Sequence, residues 1–138
     1  MRWFLYEHGK AAMSCILTIQ HVSKSFGRVA AVHDLSFEVS QDEILGIIGP
    51  NGAGKTTLFN LITGEIKPES GKIMFNGTDI TVTQTYKRCR MGIARTYQIP
   101  RPFRNMTVLE NVLVGAVYGG GMGSKASRKK CEEVLEKI

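Results

Sequence analysis

The chain has 138 residues, 43% of them hydrophobic and 22% charged, a balance of ordinary globular type that excludes a disordered or collagen-like polypeptide. No run approaches the ~20 apolar residues needed to span a bilayer. The apolar stretch Trp3–Tyr6 behind Arg2 is too short for a signal peptide, and the three scattered cysteines Cys15, Cys89 and Cys131 form neither a disulfide framework nor a zinc spacing, so a reduced, cytoplasmic protein is expected. The net charge of +6 is local: no acid occurs between Asp79 and Glu110, where Lys87, Arg88, Arg90, Arg95, Arg101 and Arg104 lie.

In chain order, Ile16–Gln20 and Val32–Val39 are short apolar runs with Gly27 between them, which predicts two antiparallel strands joined by a turn. Ile44–Ile48 is uninterruptedly apolar and predicts a strand buried on both faces, as in a parallel sheet. A glycine loop follows, and then Leu58, Leu61 and Ile62 recur at helical spacing from Lys55 to Thr63 before Gly64 supplies a stop. Pro68–Gly71 reads as a turn, Ile73–Phe75 as a short strand and Asn76-Gly77 as a second turn. Gln84–Arg90 predicts a short basic helix ending at Gly92, and Ile93–Tyr97 another strand. Pro100 and Pro102 forbid regular structure. Thr107 and Glu110 stand three apart ahead of Val112–Val114, the mark of a capping box. Five glycines in Gly115–Gly123 predict a flexible loop, and Cys131, Val134, Leu135 and Ile138 fall on one face of a last helix behind Ser127.

The segment richest in chemistry is Gly49-Pro50-Asn51-Gly52-Ala53-Gly54-Lys55-Thr56, two glycines five apart followed by Lys and Thr. Glycines admit positive φ and let backbone N–H groups converge on phosphate oxygens. The helix that begins near Lys55 adds its positive dipole end. Lys55 can reach β and γ phosphates as a mobile cation, and the Thr56 hydroxyl can hold Mg²⁺. The alternative, a plain glycine turn between strand and helix, meets these four constrained positions rarely. The acid-free basic segment admits three readings: a nucleic-acid footprint, a docking face for an acidic partner, or a solvated surface. No nucleic-acid reader motif accompanies it, so nucleic acid is not expected as a partner.

Ser23-Lys24-Ser25-Phe26-Gly27, the loop through Thr57, Lys67-Pro68-Glu69-Ser70-Gly71 and Gly92-Ile93-Ala94-Arg95-Thr96-Tyr97-Gln98, in that order, resemble the N-terminal half of an ABC-transporter ATPase. Within that family, Thr78–Gly115 is similar to branched-chain amino-acid importers of the Liv-G type. The resemblance runs from about Ser14 onward. It implies an α/β fold, a P-loop NTPase core with an N-terminal antiparallel β portion, truncated here. It assigns residues 14–138 to the nucleotide-binding domain and leaves 1–13 as an extension outside it. It further implies ATP and Mg²⁺ as cofactors, held by Gly49 through Thr57. Phe26 would stack on adenine, Lys55 would serve catalysis, and Gln98 would touch Mg²⁺ and the attacking water. A core aromatic is the other reading of Phe26, and an ordinary loop residue that of Gln98.

The resemblance also sets out what the sequence lacks. Leu-Ser-Gly-Gly-Gln does not occur, no apolar strand after Gln98 ends in Asp-Glu, and His8, His21 and His33 all precede the phosphate loop. The implied protein is the energising subunit of an importer, peripheral on the inner membrane face. Its partners would be transmembrane permease subunits and a second ATP-binding subunit, identical or different. The alternative is a nucleotide-binding or interaction fragment without turnover. The Gln98–Arg104 path, with Phe103 as an apolar anchor, is the expected link to the permease.

Overall fold

The computed structural model describes residues 4–6, 14–120 and 124–137. It divides into two compact units, Met1–Gln84 and Thr85–Ile138.

The first unit is built on a long antiparallel pair, β2 (Cys15–Phe26) and β3 (Val29–Ser40), joined at Gly27-Arg28. β5 (Ser70–Phe75) adds antiparallel to β2, and β6 (Thr78–Asp79) to β5, giving the order β3-β2-β5-β6. Strand alternation buries every second residue, yet the buried pairs Ile19/Val22 and Val32/Leu35 are spaced by three. Keeping both on the inner face requires an inserted residue in each strand. The structure supplies it as bulges, with His21 at φ 50° and Asp34 at φ 45°. The amides so displaced are satisfied locally: His21 N–H donates to Ser36 Oγ at 2.8 Å and Asp34 N–H to Ser23 Oγ at 2.9 Å. On the other side of β2, Gly71 packs against the bulge at φ +86°; a Cβ there would lie 2.4 Å from the carbonyl oxygens of both Gln20 and His21.

β4 (Gly46–Ile48) leads into α1 (Lys55–Thr63), which packs against β3. Leu58 and Leu61 are fully buried, and Gly64 caps the helix in the left-handed region at φ 80°, its amide bonded to Leu61 O. With Ile19, Val22, Val32, Leu35, Ile73, Phe75 and Ile80 they make the apolar core of this unit. The expected strand buried on both faces is corrected: only Gly46–Ile48 is extended, while Ile44 is 89% and Ile48 66% exposed. Among the described residues the partner of β4 is β1 (Phe4–Tyr6), antiparallel, with Leu5 opposite Ile47. That pairing falls within the extension expected to lie outside the domain; the rest of residues 1–13 lies outside the described residues.

The second unit holds α2 (Thr85–Arg90), α3 (Val108–Tyr118) and α4 (Ser124–Leu135), with α3 packed on α4. Three sequence expectations are corrected. Ile93–Tyr97 is not a strand; a strand exists through its ladder, and this unit offers no partner strand among the described residues. Gly115 does not open a loop but lies inside α3, which runs on to Tyr118; Gly121 and Gly123 lie outside the described residues. Ser127 does not precede the last helix but is buried within it beside Cys131, one turn on, while Val134 is 41% exposed; Ile138 lies outside the described residues.

Candidate functional site

The residues from Gly49 to Thr57 form one continuous structure. Gly52 and Gly54 adopt φ 79° and 87°, positions where side-chain-bearing residues are strained. Ala53, 3% exposed, turns inward with its amide bonded to Pro50 O at 3.1 Å. A Cβ on Gly49 would come within 3.1 Å of Ala53 Cβ, so the turn closes tightly on itself. Pro50, Asn51, Gly52 and Thr56 are exposed, and Thr57 is half-buried.

This loop delivers the chain to the start of α1 without a side-chain cap. Gly54 is the N-cap and provides no side-chain cap bond, and the first turn holds no acid. Uncapped amides at a helix start present partial positive charge. Lys55 adds a full one, its Nζ donating to Gly49 O at 2.5 Å and Pro50 O at 2.8 Å. The lysine thus arches back over the loop, and both bonds go to neutral carbonyls that a phosphate oxygen outcompetes as an acceptor. Glycine backbone, open helix end and mobile cation together fit a polyphosphate anion.

Phe26 closes β2 at the turn. The residue is 53% exposed with Lys24 Nζ 5.6 Å from the ring centroid, so it is not the core aromatic of the alternative reading. Gln98 belongs to the second unit, exposed in a segment without regular structure. Of the basic segment, Arg88 is not on the surface: it is 1% exposed, and loss of hydration lowers its pKa. Lys87, Arg90, Arg101 and Arg104 are exposed.

Two residues escaped the sequence reading. Asn111 clamps the chain behind the prolines: its Oδ1 accepts from Phe103 N–H at 2.7 Å, and its Nδ2 donates to the carbonyls of Phe103, Met106 and Thr107. The segment so held lines a cavity of about 330 Å³ with Pro102, Phe103, Met106, Val108 and Val112. The other is Glu69, whose carboxylate accepts from Ser25 N–H at 3.1 Å. Its place inside Lys67-Pro68-Glu69-Ser70-Gly71 marked a motif but no role, because a bond to a residue 44 positions away leaves no local pattern.

The chain belongs to the ABC transporter family, whose model matches residues 32–138. Among its relatives, the probable branched-chain amino acid transport ATP-binding protein LivG of Methanocaldococcus jannaschii is 40% identical over 127 residues, 88% of this chain and 49% of that protein. LivG of Salmonella typhimurium, described as a high-affinity branched-chain amino acid transport ATP-binding protein, is 37% identical over 88% of this chain and 51% of its own. The lipopolysaccharide export system ATP-binding protein LptB of Haemophilus influenzae is 35% identical over 89% and 51%. The chain therefore spans about half the length of these relatives. A solved nucleotide-free ATP-binding cassette from an ABC transporter is 38% identical with a TM-score of 0.66, covering 82% of this chain and 44% of that one. A cassette in its ADP conformation gives 37% and 0.67, covering 83% and 45%. The fold is the α/β P-loop NTPase type, its strand, glycine loop and helix inserted between the β2–β3 pair and β5 of the antiparallel sheet. Among the described residues no helix is long and apolar enough to cross a membrane.

Proposed function

We propose that this chain binds Mg²⁺-ATP through the Gly49–Thr57 loop, as part of the ATP-binding subunit of an importer for branched-chain amino acids. The observation that carries the reading is the conjunction at one place of two positive-φ glycines, a helix start without a side-chain cap and the Lys55 ammonium bonded to the loop carbonyls of Gly49 and Pro50. In this reading Lys55 and the amides of Asn51, Gly52, Gly54 and the first turn of α1 hold the phosphates, while the Ala53 N–H closes the turn on Pro50 O and Pro50 has no N–H. Thr56 and Gln98 would hold Mg²⁺, which neutralises phosphate charge when bound. Phe26 would stack on the adenine. The LivG relatives support the choice of solute.

Titration with a fluorescent ATP analogue and Mg²⁺ tests the loop. Lys55→Ala should weaken binding about tenfold or more, since a hydrogen bond to a charged group contributes about 1.5–3 kcal/mol; equal affinity in the variant would remove the assignment.

We further propose that transport requires permease subunits and a second ATP-binding subunit, which would hold the protein at the inner membrane face. The Phe103 segment, with that residue 56% exposed and its backbone fixed by Asn111, has the apolar surface and flanking arginines for the permease contact. This chain alone is expected to bind without turnover, because its sequence contains neither Leu-Ser-Gly-Gly-Gln nor a Walker B Asp-Glu. Steady-state hydrolysis above that of the Lys55→Ala variant would contradict this. Residues 14–138 are proposed as the nucleotide-binding part, and deletion of 1–12 tests whether the β1–β4 pairing matters for affinity.

A further inference from the structure

We infer that Glu69 is a positioning residue for nucleotide-base recognition, holding Phe26 and the Lys24 cation as a one-sided stacking platform. The inference rests on the nucleotide-binding reading above and concerns a residue to which that reading gives no part. A phenylalanine at a two-residue turn, 53% exposed, gains little from contact with water. It becomes useful as a platform only if the backbone carrying it is fixed. Glu69 fixes it at three successive residues of β2. The Glu69 N–H donates to Ser23 O at 2.9 Å, its Oε2 accepts from Ser25 N–H at 3.1 Å, and its Oε1 lies 3.5 Å from Lys24 Nζ. One edge of this end of β2 is held by β3, with Lys24, Ser25 and Phe26 opposite Val32, Ala30 and Val29. On the β5 side the pairing beyond the bulge is Ser23–Ser70 among the described residues, so Glu69 supplies the tie that anchors the hairpin end to β5.

The charge follows the same line. Lys24 Nζ, drawn to Glu69, stands 5.6 Å from the Phe26 centroid. A cation on one face leaves the other as the stacking surface and draws electron density from the ring, which favours an electron-rich purine there. The pair is partly solvated, with Glu69 49% exposed, and so adds little to global stability. Its geometry suits placement of the ring.

Binding of ATP and of tripolyphosphate, both with Mg²⁺, to the 138-residue chain separates base from phosphate recognition. Phe26→Ala should weaken ATP about tenfold, the scale of one base stacked on an aromatic ring. Glu69→Ala should weaken it about fivefold, and Glu69→Gln, which keeps the acceptor for Ser25 but not the ion pair, about twofold. Tripolyphosphate should bind all three variants as it binds the parent, which also shows them folded. Glu69→Ala added to Phe26→Ala should cost nothing more. Unchanged ATP affinity in Glu69→Ala or Phe26→Ala, or an equal loss of ATP and tripolyphosphate in Glu69→Ala, overturns the inference while leaving the phosphate loop intact. Failure of the parent to bind tripolyphosphate, or equal binding by Lys55→Ala, refutes the phosphate-loop reading and this inference with it.

Discussion

Gly71→Ala tests the sheet that carries this edge. The substitution adds one methyl group where φ is +86° and where Cβ would stand 2.4 Å from two backbone carbonyl oxygens and 2.5 Å from His21 C. A left-handed residue with a Cβ costs about 1–2 kcal/mol. An ordinary carbon–oxygen contact is about 3.3 Å or longer, so β5 must retreat from the β2 bulge by about 0.9 Å. That retreat stretches neighbouring ladder bonds worth about 0.5–1.5 kcal/mol each. Alanine also narrows the unfolded ensemble, which returns about 0.4–1 kcal/mol. The net loss is about 2–3 kcal/mol, or about 10 °C in Tm for a chain of this size. Gly77→Ala is the control, because φ there is +73° but nothing lies within 4 Å of the added atom; it should lose only the conformational part, about 1 kcal/mol. Thermal and urea unfolding followed by circular dichroism read both. Equal losses in the two variants would refute the contact between Gly71 and the bulge.

Other expectations are more local. Leu61→Ala, at a fully buried position of α1, should cost about 3 kcal/mol by leaving a cavity, checked by urea midpoint. Thr107→Ala should cost about 1 kcal/mol through loss of the α3 cap, read as faster amide exchange in its first turn. Bonds from the Thr107 backbone N–H and then its hydroxyl hold the Glu110 carboxyl below the usual glutamate range. The folded value being the lower one, this cap stabilises at neutral pH and is lost as pH falls below about 4.3; NMR titration should show the α3 start loosening there, and Glu110→Gln should remove that dependence. Asn111→Ala, which deletes the clamp on Phe103, should raise amide exchange across the loop behind Pro102 while α4 exchanges as before.

What the sequence revealed depended on the range of the interactions responsible. The α1 stop at Gly64 and the Thr107/Glu110 box form within a few residues, and both stand where the pattern put them. The glycine turn into α1 was legible for the same reason: its glycines, lysine and helix start are contiguous. Even the bulges left a trace, since Ile19/Val22 and Val32/Leu35 break the period of two at facing places. Ile93–Tyr97 failed because apolar alternation cannot say whether a partner strand exists. Gly115 misled because one glycine costs a helix only about 1 kcal/mol, which the cap and flanking valines offset. Arg88 counted as surface charge by residue type, yet its α2 position buries it. The ties of Glu69 to β2 depend on sheet register, which no local pattern records.

The starts of α1 and α3 show how the Gly49–Thr57 loop differs from a structural turn. At α3 the chain closes its own helix end: Thr107 accepts from Glu110 N–H, and Glu110 accepts from Thr107 N–H. A carboxylate already occupies that electropositive position, so an anion arriving there meets a filled site and a like charge. At α1 the same chain uses glycine at the cap, places no acid in the first turn and adds Lys55. A serine or aspartate at position 54 would have capped the helix and stabilised it by about 1 kcal/mol, but its side chain would fill the place that the amides face and could not easily take φ 87°. The loop therefore gives up local stability at the helix start, and among the described residues of its first turn no carboxylate takes the place that the capping box fills at α3, an arrangement that suits the external anion of the proposed function.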